Sequence, residues 1–185
     1  MKRFLLPLGV FALLVIVLAV GIYNAPKNGS KEIISPLLGK AAPQFTLPQL
    51  NSGGAQLAST ALLGGWHLVN VWGTWCVACR EEHDTLLQIK GEGRVPIIGI
   101  DWNDEDAAAI AWLSQLGNPY EVVATDHNGR AAIDWGVYGA PESFLVNPQG
   151  IVVEKLIGAM TMEDWNNRFL PHLAVGTPAP ARAGA

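Results

Sequence analysis

The chain contains two cysteines, Cys76 and Cys79, which lie in the stretch NVWGTWCVACREEH at residues 70–83. Two thiols separated by two residues occur in four kinds of site: a haem attachment site, part of a zinc site, a structural disulfide and a redox-active dithiol. These sites differ in the residues that must accompany the two sulfurs. The surrounding sequence therefore helps to discriminate between them.

The first three kinds of site lack the residues or the loop length that they need. Covalent haem attachment requires a histidine directly after the second cysteine, but Arg80 occupies that position. A zinc site needs about four ligands. The sequence has no second cysteine pair, and of its 4 histidines only His83, predicted to be a surface residue, is near enough in sequence to join the thiols. A disulfide closing so short a loop removes little entropy from the unfolded chain.

A redox-active dithiol is supported by the predicted position of the two sulfurs. The apolar run HLVNVW at 67–72 predicts a buried strand, and helix-forming residues begin at Val77. Cys76 thus lies at a helix amino terminus, where unpaired N–H groups favour the thiolate. Cys79 lies one turn further on the same face. We predict attack by Cys76, resolution by Cys79, a redox-active disulfide between them, and no metal or other cofactor.

The segments that must position these thiols alternate between strand and helix patterns. Apolar patterning and turn residues predict further strands at 95–101 and 120–124, and helices at 104–116 and 129–135. Asn103 or Asp104 is the expected amino-terminal cap of the first of these helices.

The carboxyl-terminal part of the domain departs from this alternation. Segments 143–147 and 151–156 flank the turn Asn147-Pro148-Gln149-Gly150 and predict an antiparallel hairpin. A last helix opens at Thr161 with a capping-box pattern and is expected to end before Pro171. The whole order predicts an α/β domain in which helices flank a mixed central β-sheet.

The amino-terminal segment is apolar and uncharged from residue 4 to residue 22. As a helix it spans roughly 28 Å, about the thickness of the hydrocarbon core of a bilayer. Lys2 and Arg3 precede it, which predicts a cytoplasmic amino end. We predict a single-pass membrane anchor at 1–23, with a cleaved signal peptide as the alternative. Both alternatives place the domain outside the cytoplasm.

The remaining boundaries follow from composition. Residues 24–38 are rich in Pro, Gly, Ser and Lys and predict a tether, and residues 174–185 predict a disordered tail. The domain between them, 39–173, has seven basic and fifteen acidic residues, a formal charge of −8 with neutral histidines. This charge argues against a nucleic-acid partner.

The motif Trp-Cys-x-x-Cys after an apolar strand resembles the thioredoxin superfamily, and the resemblance covers nearly the whole domain. VYGAPESFLVNPQG at 137–150 resembles the segment of that fold that carries a cis-proline. GKAAPQFTLPQL at 39–50, LGNPY at 116–120 and GVYGAPE at 136–142, together with the apolar amino terminus, are similar to one subgroup. That subgroup is the CcmG or DsbE type of thiol:disulfide interchange protein.

The resemblance implies a thioredoxin-like fold and a role in bacterial cytochrome c maturation. Proteins of this subgroup are tethered to the inner membrane and face the periplasm. They keep the haem-binding cysteines of apocytochrome c reduced, directly or through another maturation protein. Their dithiol is recharged by a membrane electron carrier, DsbD, because the periplasm is an oxidising compartment.

The resemblance also implies functions for residues around the thiols. Pro141 is the expected cis-proline, and the backbone preceding it, at Ala140, is expected to lie beside Cys76 and to pair with an extended substrate. Independently of the resemblance, Trp75 is expected to be partly exposed as an apolar rim around the sulfurs because it is next to Cys76, whereas strand alternation places Trp72 in the core.

Asn70 replaces the buried aspartate of general thioredoxins, which helps to move the proton of the resolving thiol. Proton transfer must then use another group or water, and Glu82 and Glu142 are the candidates, with Glu142 preferred. The alternatives are a solvated acid in the first turn for Glu82 and a charge at a strand edge for Glu142. A carboxylate close to Cys76 would raise the pKa of its thiol.

Two other functions stay open at this point. One is a general periplasmic thioredoxin-like reductase, or an oxidant for folding proteins. The other is a non-redox module that binds unfolded apocytochrome, in which the cysteines are secondary. Substitution of both cysteines separates a redox function from a binding function.

Overall fold

The structure is a computed structural model that describes residues 5–23 and 36–175. Most of the predicted tether at 24–38 and nearly all of the predicted tail at 174–185 lie outside these residues. The chain divides into two compact units, 1–34 and 35–185.

The described part of the first unit is helix α1, Leu5–Tyr23. The helix predicted from the apolar amino-terminal segment is therefore confirmed. Among residues 5–23 and 36–175, no helix has both the length and the apolar character needed to cross a membrane. The membrane anchor stays a prediction.

The second unit begins with a small antiparallel hairpin that the sequence did not predict. Strands β1, Thr46–Pro48, and β2, Gln56–Ala58, have three residues each, too few for a period-2 pattern to be recognised. The N–H of Leu50, just after β1, donates to the carbonyl of Val123 at 2.9 Å. The segment that follows β1 thus covers an edge of the main sheet.

The main sheet has five strands in the order β5-β4-β3-β6-β7. They are β3 His67–Trp72, β4 Ile97–Trp102, β5 Val122–Asp126, β6 Glu142–Val146 and β7 Val152–Ile157. Strands β3, β4 and β5 are parallel, whereas β6 is antiparallel to β3 and to β7. The predicted mixed sheet and the predicted hairpin are confirmed, with boundaries shifted by one or two residues.

The helices follow the predicted order. They are α2 Val77–Glu92, α3 Asp106–Leu116, α4 Arg130–Asp134, α5 Met162–Asp164 and α6 Leu170–Val175. The predicted cap of α3 at Asn103 or Asp104 is wrong: Glu105 occupies the cap position without a side-chain hydrogen bond. The carboxylate of Asp104 is bonded to Thr74 instead.

The last helical region corrects a second prediction. Thr161 and Asp164 form the predicted capping box, but the chain stays helical through Pro171 into α6. A π-helical turn, Trp165–Phe169, joins α5 to α6. This wider turn lies directly before the proline, whose ring would otherwise clash with the carbonyl four residues earlier.

Two hydrophobic clusters lie on opposite faces of the sheet, as the alternation along β3 shows. Leu68 and Trp72 belong to the cluster that contains both cysteines. Val69 and Val71 belong to the other cluster. Trp72 is fully buried, so its predicted place in the core is confirmed. The thiols therefore lie on the same face of the sheet as Asn70, which lies between Leu68 and Trp72 in the strand.

Candidate functional site

Cys76 and Cys79 form a disulfide at the start of α2, with their Cα atoms 5.3 Å apart. Cys76 is the amino-terminal cap of the helix, and the N–H of Cys79 donates to its sulfur at 3.0 Å. The predicted positions of the two sulfurs are confirmed. Cys76 is 5% exposed and Cys79 is 3% exposed. The helix amides aimed at the Cys76 sulfur would stabilise a thiolate there.

The turn between β3 and Cys76 is fixed by hydrogen bonds to residues at and just after the end of β4. Both the N–H and the hydroxyl of Thr74 donate to the carboxylate of Asp104, the hydroxyl at 2.9 Å. The indole N–H of Trp75 donates to the carbonyl of Trp102 at 3.1 Å, and the two indoles pack edge to face. Trp75 is nevertheless 51% exposed, as predicted. Its indole is a fixed apolar surface next to Cys76.

The predicted cis bond between Ala140 and Pro141 is present in the structure. The antiparallel register of β3 and β6 pairs Val71 with Glu142, so its continuation places Pro141 beside the carboxyl end of β3. Ala140 packs against the cluster that contains both cysteines. This arrangement is the one expected of a substrate-binding edge, whose use by a substrate stays a prediction.

Asn70 is the centre of a buried hydrogen-bond network. Its amide donates to Glu82 Oε1 at 2.8 Å and to Ser143 Oγ at 3.0 Å. The hydroxyl of Tyr120 donates to Asn70 Oδ1 at 2.8 Å. These three bonds fix the orientation of the Asn70 side chain, and through it one oxygen of Glu82.

Glu82 lies inside this network and is only 1% exposed. Its second oxygen accepts the N–H of Met160 at 2.7 Å. Burial raises the pKa of Glu82 to about 7, although the bonds from Met160 and Asn70 lower it. The alternative of a solvated first-turn acid is therefore wrong. Glu82 lies three residues after Cys79 on the buried stripe of α2.

Glu142 is also fully buried, but its partners are different. One oxygen lies 2.7 Å from Lys155 Nζ, and the other accepts the N–H of Tyr138 at 2.7 Å. The alternative of a charge at a strand edge is wrong. One oxygen of Glu142 is held by a cation, whereas within the described residues the two oxygens of Glu82 accept hydrogen bonds from the neutral groups of Asn70 and Met160. The geometry therefore favours Glu82 over Glu142 for proton transfer.

His83 corrects another prediction, since it is buried rather than on the surface. Its Nε2 lies 3.0 Å from the carbonyl of Gly117, and the indole N–H of Trp112 points at its Nδ1 at 3.4 Å. The hydrogen-bond pattern places the imidazole proton on Nε2. Both ring nitrogens are occupied by contacts to α3 and the residue after it. His83 therefore fixes α2 against α3.

Sequence reasoning missed several buried polar residues of this region: Tyr120, Ser143, Lys155 and Asp101. Of these, Ser143 had a recognisable signal, because it lies two residues after Pro141 in a strand and so faces the same side. Asp101 is 1% exposed, and burial, reinforced by repulsion from Asp104, raises its pKa to about 8.

The comparisons with known proteins agree with this geometry. Residues 37–167 match the family model described as Redoxin. A thiol:disulfide interchange protein DsbE of Allochromatium vinosum is 42% identical over 173 residues, which cover 94% of this chain and 93% of that protein. A protein of the same name from Xylella fastidiosa is 40% identical over 189 residues, covering 100% and 95%.

A solved structure supports the fold. A secreted thiol-disulfide isomerase of Corynebacterium glutamicum superposes with a TM-score of 0.64 and 22% sequence identity. The superposition covers 72% of this chain and 85% of that one. The thioredoxin-like fold is therefore confirmed.

Proposed function

From its membership of the Redoxin family, and within it of the DsbE-type thiol:disulfide interchange proteins, we propose a specific substrate for this thiol:disulfide oxidoreductase. The protein reduces disulfides of apocytochrome c, or of the protein that delivers it, during cytochrome c maturation. The observation that supports this proposal is the Cys76–Cys79 pair at the first turn of α2. The segments 116–120 and 136–142, which resemble the cytochrome c maturation subgroup, favour this substrate.

The reduction proceeds by two exchange steps. The Cys76 thiolate attacks one sulfur of the substrate disulfide, and the other substrate sulfur leaves as a thiolate. Cys79, after losing its proton, then attacks the Cys76 sulfur of this mixed disulfide. The second substrate thiolate leaves, and the Cys76–Cys79 disulfide forms. The protein loses two electrons, and the substrate gains two electrons and takes up two protons.

Glu82 is the proposed acceptor of the Cys79 proton. It lies one turn beyond Cys79 on the buried face of α2, and its pKa is raised to about 7. A carboxyl group with this pKa takes and returns a proton near neutral pH. In the reverse step, when the disulfide is reduced again, Glu82 returns the proton to the leaving Cys79 thiolate.

The reduced form must be regenerated by a dithiol partner. We assign this step to a DsbD-like electron donor, which gives two electrons to the Cys76–Cys79 disulfide and becomes a disulfide itself. The proposed location is the periplasmic face of a bacterial inner membrane, with residues 1–23 as a single-pass anchor. Membrane fractionation of cells that produce the full chain tests this location, because a cleaved signal would release the domain.

Trapping of the mixed disulfide tests the reaction. The Cys79→Ser variant keeps Cys76 and cannot resolve, so we expect apocytochrome c, or its delivery protein, to stay covalently attached to Cys76. The matched control, Cys76→Ser, should trap nothing. Recovery of unrelated periplasmic proteins alone would instead favour a general reductase.

The variant with both cysteines replaced by serine separates the redox function from a binding function. We expect it to abolish cytochrome c maturation. A binding module would keep its function in this variant, and that result would refute the redox proposal.

The direction of electron flow is tested by the redox state of Cys76 and Cys79 in cells. The pair should be mostly reduced, and oxidised when the electron donor is deleted.

A further inference from the structure

Lys155 is a buried cation in β7 that contacts the segment preceding Pro141. Its side chain is 3% exposed, and its Nζ lies 2.7 Å from Glu142 Oε2. The same Nζ donates to the carbonyl of Gly136 at 2.9 Å. Lys155 therefore links Glu142, the first residue of β6, to Gly136, which follows the end of α4.

Tyr138 is held by the same pair of charges. Its N–H donates to Glu142 Oε1 at 2.7 Å, and its ring lies 5.1 Å from Lys155 Nζ. The side chain of Tyr138 is nevertheless 66% exposed. The backbone of the segment between Gly136 and Pro141 is thus fixed at two points, whereas its aromatic side chain faces outward.

The energetics of this ion pair argue for a geometric role. Two buried charges lose their hydration, and an apolar pair of similar volume is often as stable. Hydrogen bonds to backbone groups of one segment, at Gly136 and Tyr138, replace part of the hydration that Lys155 and Glu142 lose. These contacts connect the pair to the backbone of that segment at two residues.

We propose that Lys155 is a positioning residue for the polypeptide substrate. It holds the segment 136–140 in the conformation in which the edge beside Pro141 pairs with an extended substrate next to Cys76. This inference rests on the proposed function in one respect, that the substrate is a polypeptide disulfide. Lys155 does not act on the sulfurs themselves.

Kinetics with substrates of different size test the proposal. The Lys155→Met variant removes the charge, Lys155→Arg keeps it, and Lys40→Met is the control at an exposed lysine. The substrates are a disulfide peptide with the C-x-x-C-H haem-binding motif, an unrelated disulfide peptide, and the small aromatic disulfide 5,5′-dithiobis(2-nitrobenzoate). The assay follows oxidation of the reduced protein.

We expect Lys155→Met to raise the half-saturating concentration of both peptides by about tenfold. Its maximal rate, and its rate with the small disulfide, should stay within about twofold of the wild type. Lys155→Arg and Lys40→Met should behave as the wild type. Half-saturating concentrations that do not change in Lys155→Met would overturn the proposal. A parallel loss of rate with all three substrates would overturn it too.

The two proposals fail in different ways. If the wild-type protein reduces the unrelated peptide but not the haem-motif peptide, the cytochrome substrate is wrong, and the unrelated peptide still decides the function of Lys155. Amide hydrogen exchange of the wild type tests whether the segment is fixed, as the proposal requires, even if Lys155→Met does not fold. The N–H of Tyr138 should exchange slowly although the side chain is exposed, and exchange at the rate of an unstructured peptide would overturn the proposal.

Discussion

Two carboxyl groups are buried on either side of β3, and their partners determine what each can do. Glu142 is paired with the ammonium group of Lys155, whereas the partners of Glu82 among residues 5–23 and 36–175 are the hydrogen-bond donors of Asn70 and Met160. Burial favours the neutral form of a carboxyl group and raises the pKa of Glu82 to about 7. Glu82 therefore changes its protonation near neutral pH.

Glu82→Gln should slow the resolving step. Above pH 7 the Glu82 carboxylate accepts the Cys79 proton, so the wild-type rate should rise with pH through about 7. The variant should lose this inflection and react about tenfold to hundredfold more slowly at pH 8. The measurement is the release of the second substrate thiol from a mixed disulfide on Cys76, from pH 5 to 9. Glu81→Gln is the exposed control, and an inflection that persists in Glu82→Gln contradicts this assignment.

Asn70→Asp should move the same inflection upward. The substitution places a second carboxyl group at the position that now donates to Glu82 Oε1 from 2.8 Å. Two carboxylates at that distance cannot both ionise easily, so the pKa of the pair would be split and the higher value would lie above about 7. Ser143→Ala removes the other acceptor of the Asn70 amide without adding a charge and should leave the inflection in place. An unchanged inflection in Asn70→Asp would show that the titration of Glu82 does not cause the inflection.

At the scale of elements, strands and helices with a periodic apolar pattern were predictable, whereas the contacts between distant elements were not. The apolar runs of β3 and β4 and the stripe of α2 follow directly from local sequence. The helical spacing that places Cys79 on the buried face also includes Glu82 and His83. Their charge or polarity suggested exposure, but partners distant in sequence, Met160 and Gly117, satisfy them.

The amino terminus of α5 gives a prediction at this scale. The hydroxyl of Thr161 accepts the N–H of Asp164 at 3.1 Å, and the N–H of Thr161 donates to the Asp164 carboxylate at 3.1 Å. Thr161→Ala removes the first bond, which should lower the free energy of unfolding by about 1 kcal/mol. Urea denaturation of the oxidised protein measures this change. Thr161→Ser keeps the hydroxyl and should stay close to the wild type; equal losses in both variants would mean that the methyl group, not the cap, matters.

At the scale of the whole molecule, the sequence predicted the residues that share a motif and missed the residues that the fold brings to them. Cys76, Cys79 and Pro141 are recognisable from adjacent residues. The contacts of Asn70 join four segments of the chain, and no local pattern specifies Tyr120 as its hydrogen-bond donor. Chain topology determines such contacts, since the register of β3 with β6 decides that Asn70 faces Ser143.

The buried acids of the whole domain determine how its stability depends on pH. Burial raises the pKa of Glu82 to about 7 and that of Asp101 to about 8, whereas their ordinary values are 4.5 and 3.8. Between these limits the folded protein binds more protons than the unfolded chain. The contribution of these two groups to the free energy of unfolding is thus fully present below about pH 4, and it is lost as the pH rises to about 8.

We therefore expect the free energy of unfolding of the oxidised protein to fall between pH 5 and pH 8.5. Glu82 alone contributes about 3 kcal/mol of this decrease, because each unit of pKa difference corresponds to about 1.4 kcal/mol. Urea denaturation across this range measures the slope, and the variant with Glu82→Gln and Asp101→Asn should have a flatter one. Folding at pH 7 should also take up between about one and two protons, which appears as a buffer-dependent enthalpy. Stability that rises over this range in the wild type and the variant alike would mean that both carboxyl groups are ionised in the folded protein.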